Sequence, residues 1–308
     1  MIKVFIDGSA GTTGLRIYER IEALDGIKII KLSEEKRKDP LYRKEAINES
    51  DFSFLCLPDD AAREAVASVE NPNTAIIDTS TAHRVSSGWA YGFPELSAEH
   101  YAAIASSKRV AVPGCHACGF IALIYPLVKA GVIKKDAHLT AFSLTGYSGG
   151  GKKMIADYEN EDRPSLFGAP RQYGLGQTHK HLPEMTKITG LENAPAFCPV
   201  VADFYSGMEV TVPLFASDIC GTAEDIKEIY KNTYKSGLVS YCDGDENGFL
   251  SASALSGRDD MQVGVYGNGE RILLVSRFDN LGKGASGAAL ECLNIMRGAN
   301  LKEGLITG

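Results

Sequence analysis

The stretch Ile2-Lys3-Val4-Phe5-Ile6-Asp7-Gly8-Ser9-Ala10-Gly11-Thr12-Thr13-Gly14 decides the fold. Its first six residues form a short apolar run with β-branched side chains, which reads as a buried strand. Leu15-Arg16-Ile17-Tyr18-Glu19-Arg20-Ile21 follows with helical periodicity. Strand, glycine turn and helix in succession is the setting in which such a turn binds a dinucleotide. The glycines allow a tight turn and bring backbone close to a pyrophosphate, which then sits on the helix N-terminus. Gly8, Ser9, Ala10, Gly11, Thr12, Thr13 and Gly14 are therefore the candidate cofactor-binding turn. The spacing is G-x-x-G-x-x-G rather than G-x-G-x-x-G, and a glycine turn can also simply join a strand to a helix.

Working outward, residues 27–32 read as the next strand. An NAD site often ends this strand with an acidic residue on the ribose 2′-hydroxyl. Here it ends in Leu32-Ser33, followed by Glu34-Glu35-Lys36-Arg37-Lys38. Ser33, Lys36 and Arg37 suit a 2′-phosphate and point to NADP (NADPH), although a solvated charged loop would have the same composition. Residues 51–58 form a third strand closed by Pro58, with a helix opening at Asp59-Asp60, where the dipole prefers acids. Residues 74–80 form a fourth strand. Open α/β sheets bind ligands beyond the carboxyl ends of their strands. Cys56, Pro58 and Ser80 at those ends join the cofactor set. Arg84, just beyond, is a candidate anion clamp or a surface salt bridge.

Arg109-Val110-Ala111-Val112 is a fifth strand, and it delivers Pro113-Gly114-Cys115-His116-Ala117-Cys118-Gly119 to the same edge. The apolar run that follows reads as a buried helix reaching Lys129. Cys115 thus stands at or near a helix N-terminus, where unpaired N–H groups and the dipole favour a thiolate, the form that attacks carbonyls. A small buried cysteine is the plain alternative.

The second half has another character. A strand pattern over residues 137–144 runs into Thr145-Gly146-Tyr147-Ser148-Gly149-Gly150-Gly151-Lys152, a backbone-rich loop able to bind an anion or to act as a flexible turn. Residues 160–178 are polar and broken by proline and glycine, an irregular excursion ending at His179-Lys180-His181-Leu182-Pro183-Glu184. Strands are expected over 196–202 and 207–215, a helix over 224–235, and a hairpin over 261–278 around Gly267-Asn268-Gly269. A small-residue turn, Asn280 to Gly287, leads into a last helix. The fold class expected is α/β: a Rossmann-like doubly wound parallel sheet plus an inserted α+β catalytic and dimerisation domain with a largely antiparallel sheet. The boundaries expected are 1–114 plus 284–308 for the cofactor domain and 115–283 for the inserted one.

The bulk properties agree. The chain has 308 residues, 44% hydrophobic and 23% charged, as in globular enzymes. The net charge of −7 argues against nucleic acid as partner. No apolar run suits a membrane span, and no signal-peptide layout opens the chain. The odd number of cysteines, seven, suits reduced thiols, so a cytoplasmic setting is expected.

A dinucleotide turn, a cysteine at a helix start, a His-x-His and scattered anion sites together fit reduction of an acyl phosphate to an aldehyde. The thiolate attacks the acyl carbon and expels phosphate, a nicotinamide reduces the thioester, and a histidine moves the protons. Val112-Pro113-Gly114-Cys115, the Thr145 to Lys152 loop, His179-Lys180-His181-Leu182-Pro183-Glu184 and Asp279-Asn280-Leu281-Gly282-Lys283-Gly284-Ala285-Ser286-Gly287 resemble the N-acetyl-γ-glutamyl-phosphate reductase family of the semialdehyde dehydrogenase group. The resemblance covers essentially the whole chain and is to the shorter of the family's two types. The longer type carries Cys-Tyr-Pro-Thr where this chain has Cys115-His116-Ala117-Cys118, a departure read as adding only a second thiol.

The resemblance implies Cys115 as nucleophile and one histidine of the His179 and His181 pair as general acid/base, with Glu184 orienting it. In an extended segment the two rings point to opposite faces, so only one is expected to face Cys115. Arg84 with Ser148, Gly149, Gly150 and Lys152 would hold the substrate's carboxylate and phosphate. Asn280 and Gly284 would meet the nicotinamide end of the cofactor. A homo-tetramer or homodimer acting on a small acyl phosphate is implied. A zinc site is disfavoured, because C-H-x-C matches no common zinc spacing and no second C-x-x-C exists, so no metal is expected. A Cys115–Cys118 dithiol, an aspartate-semialdehyde dehydrogenase and a non-catalytic NADP-binding regulator stay as alternatives.

Overall fold

A computed structural model of the chain describes residues 1–235 and 237–308. Its contacts form two compact units. The first comprises Met1–Pro94, Ala98–Gly114 and Ala285–Leu305, and the second Glu95–Ser97, Cys115–Gly284 and Ile306–Gly308. The sequence reading sets simple boundaries after residues 114 and 283. Local bonds explain the additions to the second unit. Glu95 pairs with the buried Lys283 (2.7 Å) and accepts the Leu238 N–H (3.0 Å), while the Ile306 N–H donates to Asp259 (2.8 Å).

The first unit is a six-stranded, all-parallel sheet. Its strands are β1 (Ile2–Asp7), β2 (Ile27–Ile30), β3 (Phe52–Leu55), β4 (Ala75–Asp78), β5 (Ala90–Tyr91) and β6 (Arg109–Ala111), in the order β2-β1-β3-β4-β6-β5. The pleat divides β1 between two cores. Val4 and Ile6 pack with Ile17 and Ile21 of α1 (Thr12–Glu22) and with Leu290 and Leu293 of the C-terminal helix Gly287–Met296. Phe5 packs on the other face with Ala46 and Ile47 of α2 (Pro40–Glu49) and Ala62 and Ala65 of α3 (Asp59–Ala67). Burial of both faces is what a parallel sheet wrapped by helices requires. The order reverses between β1 and β3, so the topological switch point lies where Gly8 follows one strand and Cys56 the other.

Helix α2 has no counterpart in the sequence reading. It buries only Ala46 and Ile47, so its apolar pattern is weak, and it starts through local chemistry. The Asp39 carboxylate accepts the Leu41 N–H (2.8 Å), and Pro40 sits in the first turn.

In chain order the second unit contributes α4 (Cys115–Lys129), β7 (Thr140–Gly146), α5 (Gly151–Glu159), β8 (Arg171–Gln172), α6 (Leu182–Thr189), β9 (Ala196–Ala202), β10 (Met208–Phe215), α7 (Ala223–Thr233), β11 (Val239–Tyr241), β12 (Met261–Gly267) and β13 (Arg271–Phe278). The seven strands form one mixed sheet, β11-β12-β13-β10-β7-β9-β8. The pairs β11–β12 and β7–β9 are parallel and the other four antiparallel. Helix α4 is buried along nearly its whole length and packs on β10 and β13 on one side and on α6 and α7 on the other. Its Gly119 is a close-approach position: a Cβ there would lie 2.5 Å from Val210 and 2.8 Å from the Phe278 ring. No helix among the described residues is long and apolar enough to cross a membrane.

Candidate active site

In the first unit, Gly8 takes a left-handed φ of +85°, and a Cβ on it would lie 2.2 Å from the Cys56 carbonyl oxygen. Only glycine fits there. The Gly11 N–H donates to the Gly8 carbonyl (2.9 Å), which tightens the turn. Helix α1 then starts with no side-chain cap and no acid in its first turn. The Thr12 hydroxyl in that turn is buried without a hydrogen-bond partner among the described residues. Uncapped N–H groups and an orphaned buried hydroxyl at one helix start fit a bound anion, as a pyrophosphate requires.

Beside this turn lies a cavity of about 380 Å³ lined by Asp7 to Ala10, Lys31, Leu32, Arg37, Lys38 and Arg43 among others. Arg37 is the one member of the expected 2′-phosphate set on its wall. Ser33 and Lys36 are turned to other partners. The Ser33 hydroxyl accepts the Lys36 N–H (3.4 Å), and the Lys36 ammonium stands over the Tyr42 ring (4.5 Å). Lys31, Lys38 and Arg43 are the cations the sequence reading missed. Arg43 grips Asp7 at 2.8 Å, and desolvation raises the Asp7 pKa against the opposing pull of Arg43. A signal existed only for Lys38, within the basic run. Arg43 lies on the helix that the periodicity did not show.

The remaining candidates of this unit also make contacts within the protein. The Ser80 hydroxyl and N–H both bind the buried Asp78 carboxylate (2.8 and 2.9 Å). Asp78 also takes His83 Nδ1 at 2.6 Å, and the His83 ring stacks on Trp89. Pro58 caps α3, and burial pushes the Cys56 thiol up to about 12. Arg84 is buried. Its Nε donates to the Val112 carbonyl (2.9 Å) and a terminal nitrogen to the Thr79 carbonyl (3.0 Å). It braces the strand that leads to Pro113-Gly114-Cys115.

In the second unit Cys115 is the first residue of α4 and is half-buried. Gly284, within the turn of π-helix Gly282–Ser286, comes so close that a Cβ on it would lie 2.9 Å from the Cys115 Cβ. Behind Cys115, the His116 ring is buried 5.7 Å from the rings of both His179 and His181, which are themselves 4.7 Å apart. The expected opposite-face arrangement of His179 and His181 does not occur. The segment is a turn, not a strand: the Leu182 N–H donates to the His179 carbonyl (3.0 Å), and His181 is the α-conformation N-cap of α6. The His181 N–H donates to His179 Nδ1 (3.2 Å), so that nitrogen is an acceptor and a neutral His179 carries its proton on Nε2. Burial lowers the His179 pKa, with Lys180 adding to the shift. Glu184 is buried in the first turn of α6.

The loop candidates are anchored through Asn280. The Asn280 amide donates to the Ser148 hydroxyl (3.0 Å) and accepts the Gly207 N–H (2.9 Å). Ser148 is thereby buried, whereas Gly149 and Gly150 are exposed and Lys152 extends from the first turn of α5, which has no side-chain cap. Two residues outside the expected set stand in the cluster, His116 and Tyr173. Their side chains meet at 2.6 Å across 57 residues of chain. Among the described residues no group of three or more His, Cys, Asp and Glu side chains is arranged to hold a metal ion.

The family models described as "Semialdehyde dehydrogenase, NAD binding domain" and "Semialdehyde dehydrogenase, dimerisation domain" match residues 3–104 and 115–280. The N-acetyl-gamma-glutamyl-phosphate reductase 2 of Pseudomonas putida is 42% identical, over 96% of this chain and 97% of its own. Among solved structures, aspartate semialdehyde dehydrogenase II of Vibrio cholerae, complexed with ASA, has a TM-score of 0.72 at 15% identity, covering 96% of this chain and 98% of its own. Aspartate semialdehyde dehydrogenase with NADP from Candida albicans has a TM-score of 0.68 at 14% identity, covering 98% and 99%. At such identities these two structures show the fold alone. The sequence relatives and the two matched models show that the chain belongs to the N-acetyl-γ-glutamyl-phosphate reductases of the semialdehyde dehydrogenase family.

Proposed function

We propose that the chain is a cytoplasmic enzyme of arginine biosynthesis. It reduces N-acetyl-glutamyl 5-phosphate to N-acetylglutamate 5-semialdehyde and phosphate, with NADPH as reductant and Cys115 as nucleophile. The observation that carries the reading is the clustering of Cys115, at a helix start, with the His116, His179 and His181 rings and the buried Glu184 within one unit. The Cys115 thiolate forms a C–S bond to the acyl carbon, and the C–O bond to phosphate breaks. The Gly8 to Gly14 turn, with Arg37 and Lys38 on the cavity beside it, would hold NADPH, which would supply the hydride that reduces the thioester. One of His179 and His181 takes the thiol proton; after hydride addition the carbonyl re-forms, the C–S bond breaks to release the aldehyde, and the histidine returns its proton to the Cys115 sulfur. Glu184 holds that histidine in place. The exposed Gly149–Gly150 loop and the Lys152 ammonium, at the uncapped start of α5, hold the phosphate.

The enzyme works as a homo-oligomer, dimer or tetramer, through the mixed sheet. Phe142, Phe215 and Leu273 lie exposed on one face of it, and the unit matches a model described as a dimerisation domain. The test of the reaction is phosphate-dependent NADPH formation from N-acetylglutamate semialdehyde by the purified protein. Formation with aspartate semialdehyde instead would overturn the substrate and leave the chemistry; formation with neither would overturn both.

A further inference from the structure

His116 follows the nucleophile in the chain, and its surroundings fix where its proton sits. The ring is 3% exposed and makes two side-chain hydrogen bonds, Nδ1 to the Ser143 hydroxyl (2.7 Å) and Nε2 to the Tyr173 hydroxyl (2.6 Å). Burial holds its pKa down at about 3, with His179 nearby acting in the same direction, so the ring is neutral and carries a single N–H. One nitrogen donates and the other accepts.

Ser143 decides which. It lies in β7 with no exposed surface, and among the described residues His116 Nδ1 is the only partner of its hydroxyl. If Nδ1 carried the proton, the serine hydroxyl hydrogen would be buried without an acceptor, at a cost of about 1–3 kcal/mol. The opposite polarity satisfies the fully buried Ser143 and leaves the one unmet hydrogen on the half-buried Tyr173 hydroxyl. Ser143 donates to Nδ1, Nε2–H donates to the Tyr173 oxygen, and the Tyr173 hydroxyl hydrogen turns away from the histidine. Tyr173 is half-buried, and its hydroxyl has no second partner among the described residues. It is bonded to the residue that follows Cys115 in the chain, and burial raises its phenol.

Resting on the function proposed above, we infer that Ser143 and His116 are positioning residues that orient Tyr173 as a hydrogen-bond donor to an oxygen of the acyl phosphate bound at Cys115. The relay runs one way, and it gives the His of Cys-His-Ala-Cys a task that sequence reading did not assign. It leaves the proton transfers to His179 or His181 and supplies a fixed dipole where negative charge gathers on the substrate.

The direct test is the tautomer of His116 in the full-length protein labelled with ¹⁵N-histidine, read at pH 7.5 from long-range ¹H–¹⁵N correlations. His116→Gln identifies its signals by their loss. The expected result is a bare Nδ1 and a protonated Nε2. A protonated Nδ1 would overturn the relay. No substrate is present in this measurement, so it decides the relay separately from the assigned reaction. In turnover, Tyr173→Phe is expected to lower kcat by roughly 10- to 100-fold with KM for NADPH unchanged, the loss of a hydrogen bond to a charged group. Ser143→Ala frees the tautomer and is expected to lower kcat about 3- to 10-fold, with Ser143→Thr restoring it. Full kcat in Tyr173→Phe, or a Ser143→Ala defect that Thr does not relieve, would overturn the role.

Discussion

Two sulfurs three residues apart, in the first turn of one helix, have opposite surroundings. Cys115 opens α4, is half-buried, and has the turn at Gly284 against its Cβ. Cys118 has no exposed surface, its Sγ lies 3.7 Å from the Lys283 carbonyl oxygen, and burial pushes its thiol well above the ordinary range. The ammonium of Lys283 pulls the other way without prevailing, because it is itself gripped by Glu95 at 2.7 Å. Both sulfurs feel the helix N-terminus, yet desolvation outweighs the dipole within one turn. A C-x-x-C spacing therefore does not make a pair of equivalent thiols. The larger consequence of that difference is catalytic. Cys115→Ser should lower phosphate-dependent NADPH formation by at least about 10³-fold, with NADPH binding retained by calorimetry. An equal loss in a Cys118 variant would erase the contrast.

The next way to break the contrast is to crowd the reactive sulfur from outside the helix. A Cβ at position 284 would meet the Cys115 Cβ at 2.9 Å and the Phe278 ring at 3.2 Å. Gly284→Ala must therefore displace the cysteine or the turn. It should lower kcat about 10- to 100-fold through misplacement of the sulfur. It should also cost about 1–3 kcal/mol in urea unfolding, as overpacking does. Alkylation of Cys115 by iodoacetamide should slow in parallel, and an unchanged rate would mean that Gly284 serves some other need.

Between the two sulfurs, His116 supplies a pH test. Its value in the folded chain is about 3, against an ordinary value near 6.5 when unfolded. Below pH 6.5 the unfolded chain takes up a proton that the folded chain refuses. The stability is thus present above that pH and falls away as the pH drops toward 3. From pH 7.5 to 5.5 the wild type should lose about 1.4 kcal/mol more than His116→Gln in urea unfolding. Equal losses would place the ring in contact with water and weaken the case that burial rules this turn.

What the sequence showed of this turn, and what it hid, follows from the range of each interaction. Pro113-Gly114 before an apolar periodic run places Cys115 at a helix start using neighbours alone. Likewise the β1 run with its glycine turn, and the β12–β13 hairpin around Asn268, are local patterns and appear in the structure as read. The Tyr173–His116 bond spans 57 residues and the Arg43–Asp7 pair 36, so no window of sequence contains either. Arg84 shows the converse. Its type suits an anion clamp, and its Nε and one terminal nitrogen also bind the carbonyls of Val112 and Thr79, bonds that only the assembled sheet supplies. The His179 and His181 rings were set on opposite faces by assuming an extended chain. The turn into α6 brings them together.

The smallest expected effect belongs to Cys118, and it is where the contrast becomes sharpest. Cys118→Ala removes one buried sulfur from a close-packed helix face, which should cost about 1–2 kcal/mol in urea unfolding. Turnover should stay within about twofold of wild type, because nothing places this sulfur at the reacting atoms. A redox dithiol would behave in the opposite way, since its cycle needs both sulfurs, and activity would vanish with stability little changed. Iodoacetamide separates the two sulfurs without mutation. In native protein Cys115 should react and Cys118 should stay protected until urea unfolds the helix, because a thiol that is both desolvated and protonated is a poor nucleophile. If Cys118 were modified at the rate of Cys115, burial would not be what separates them, and the position in the helix would have to carry the whole difference.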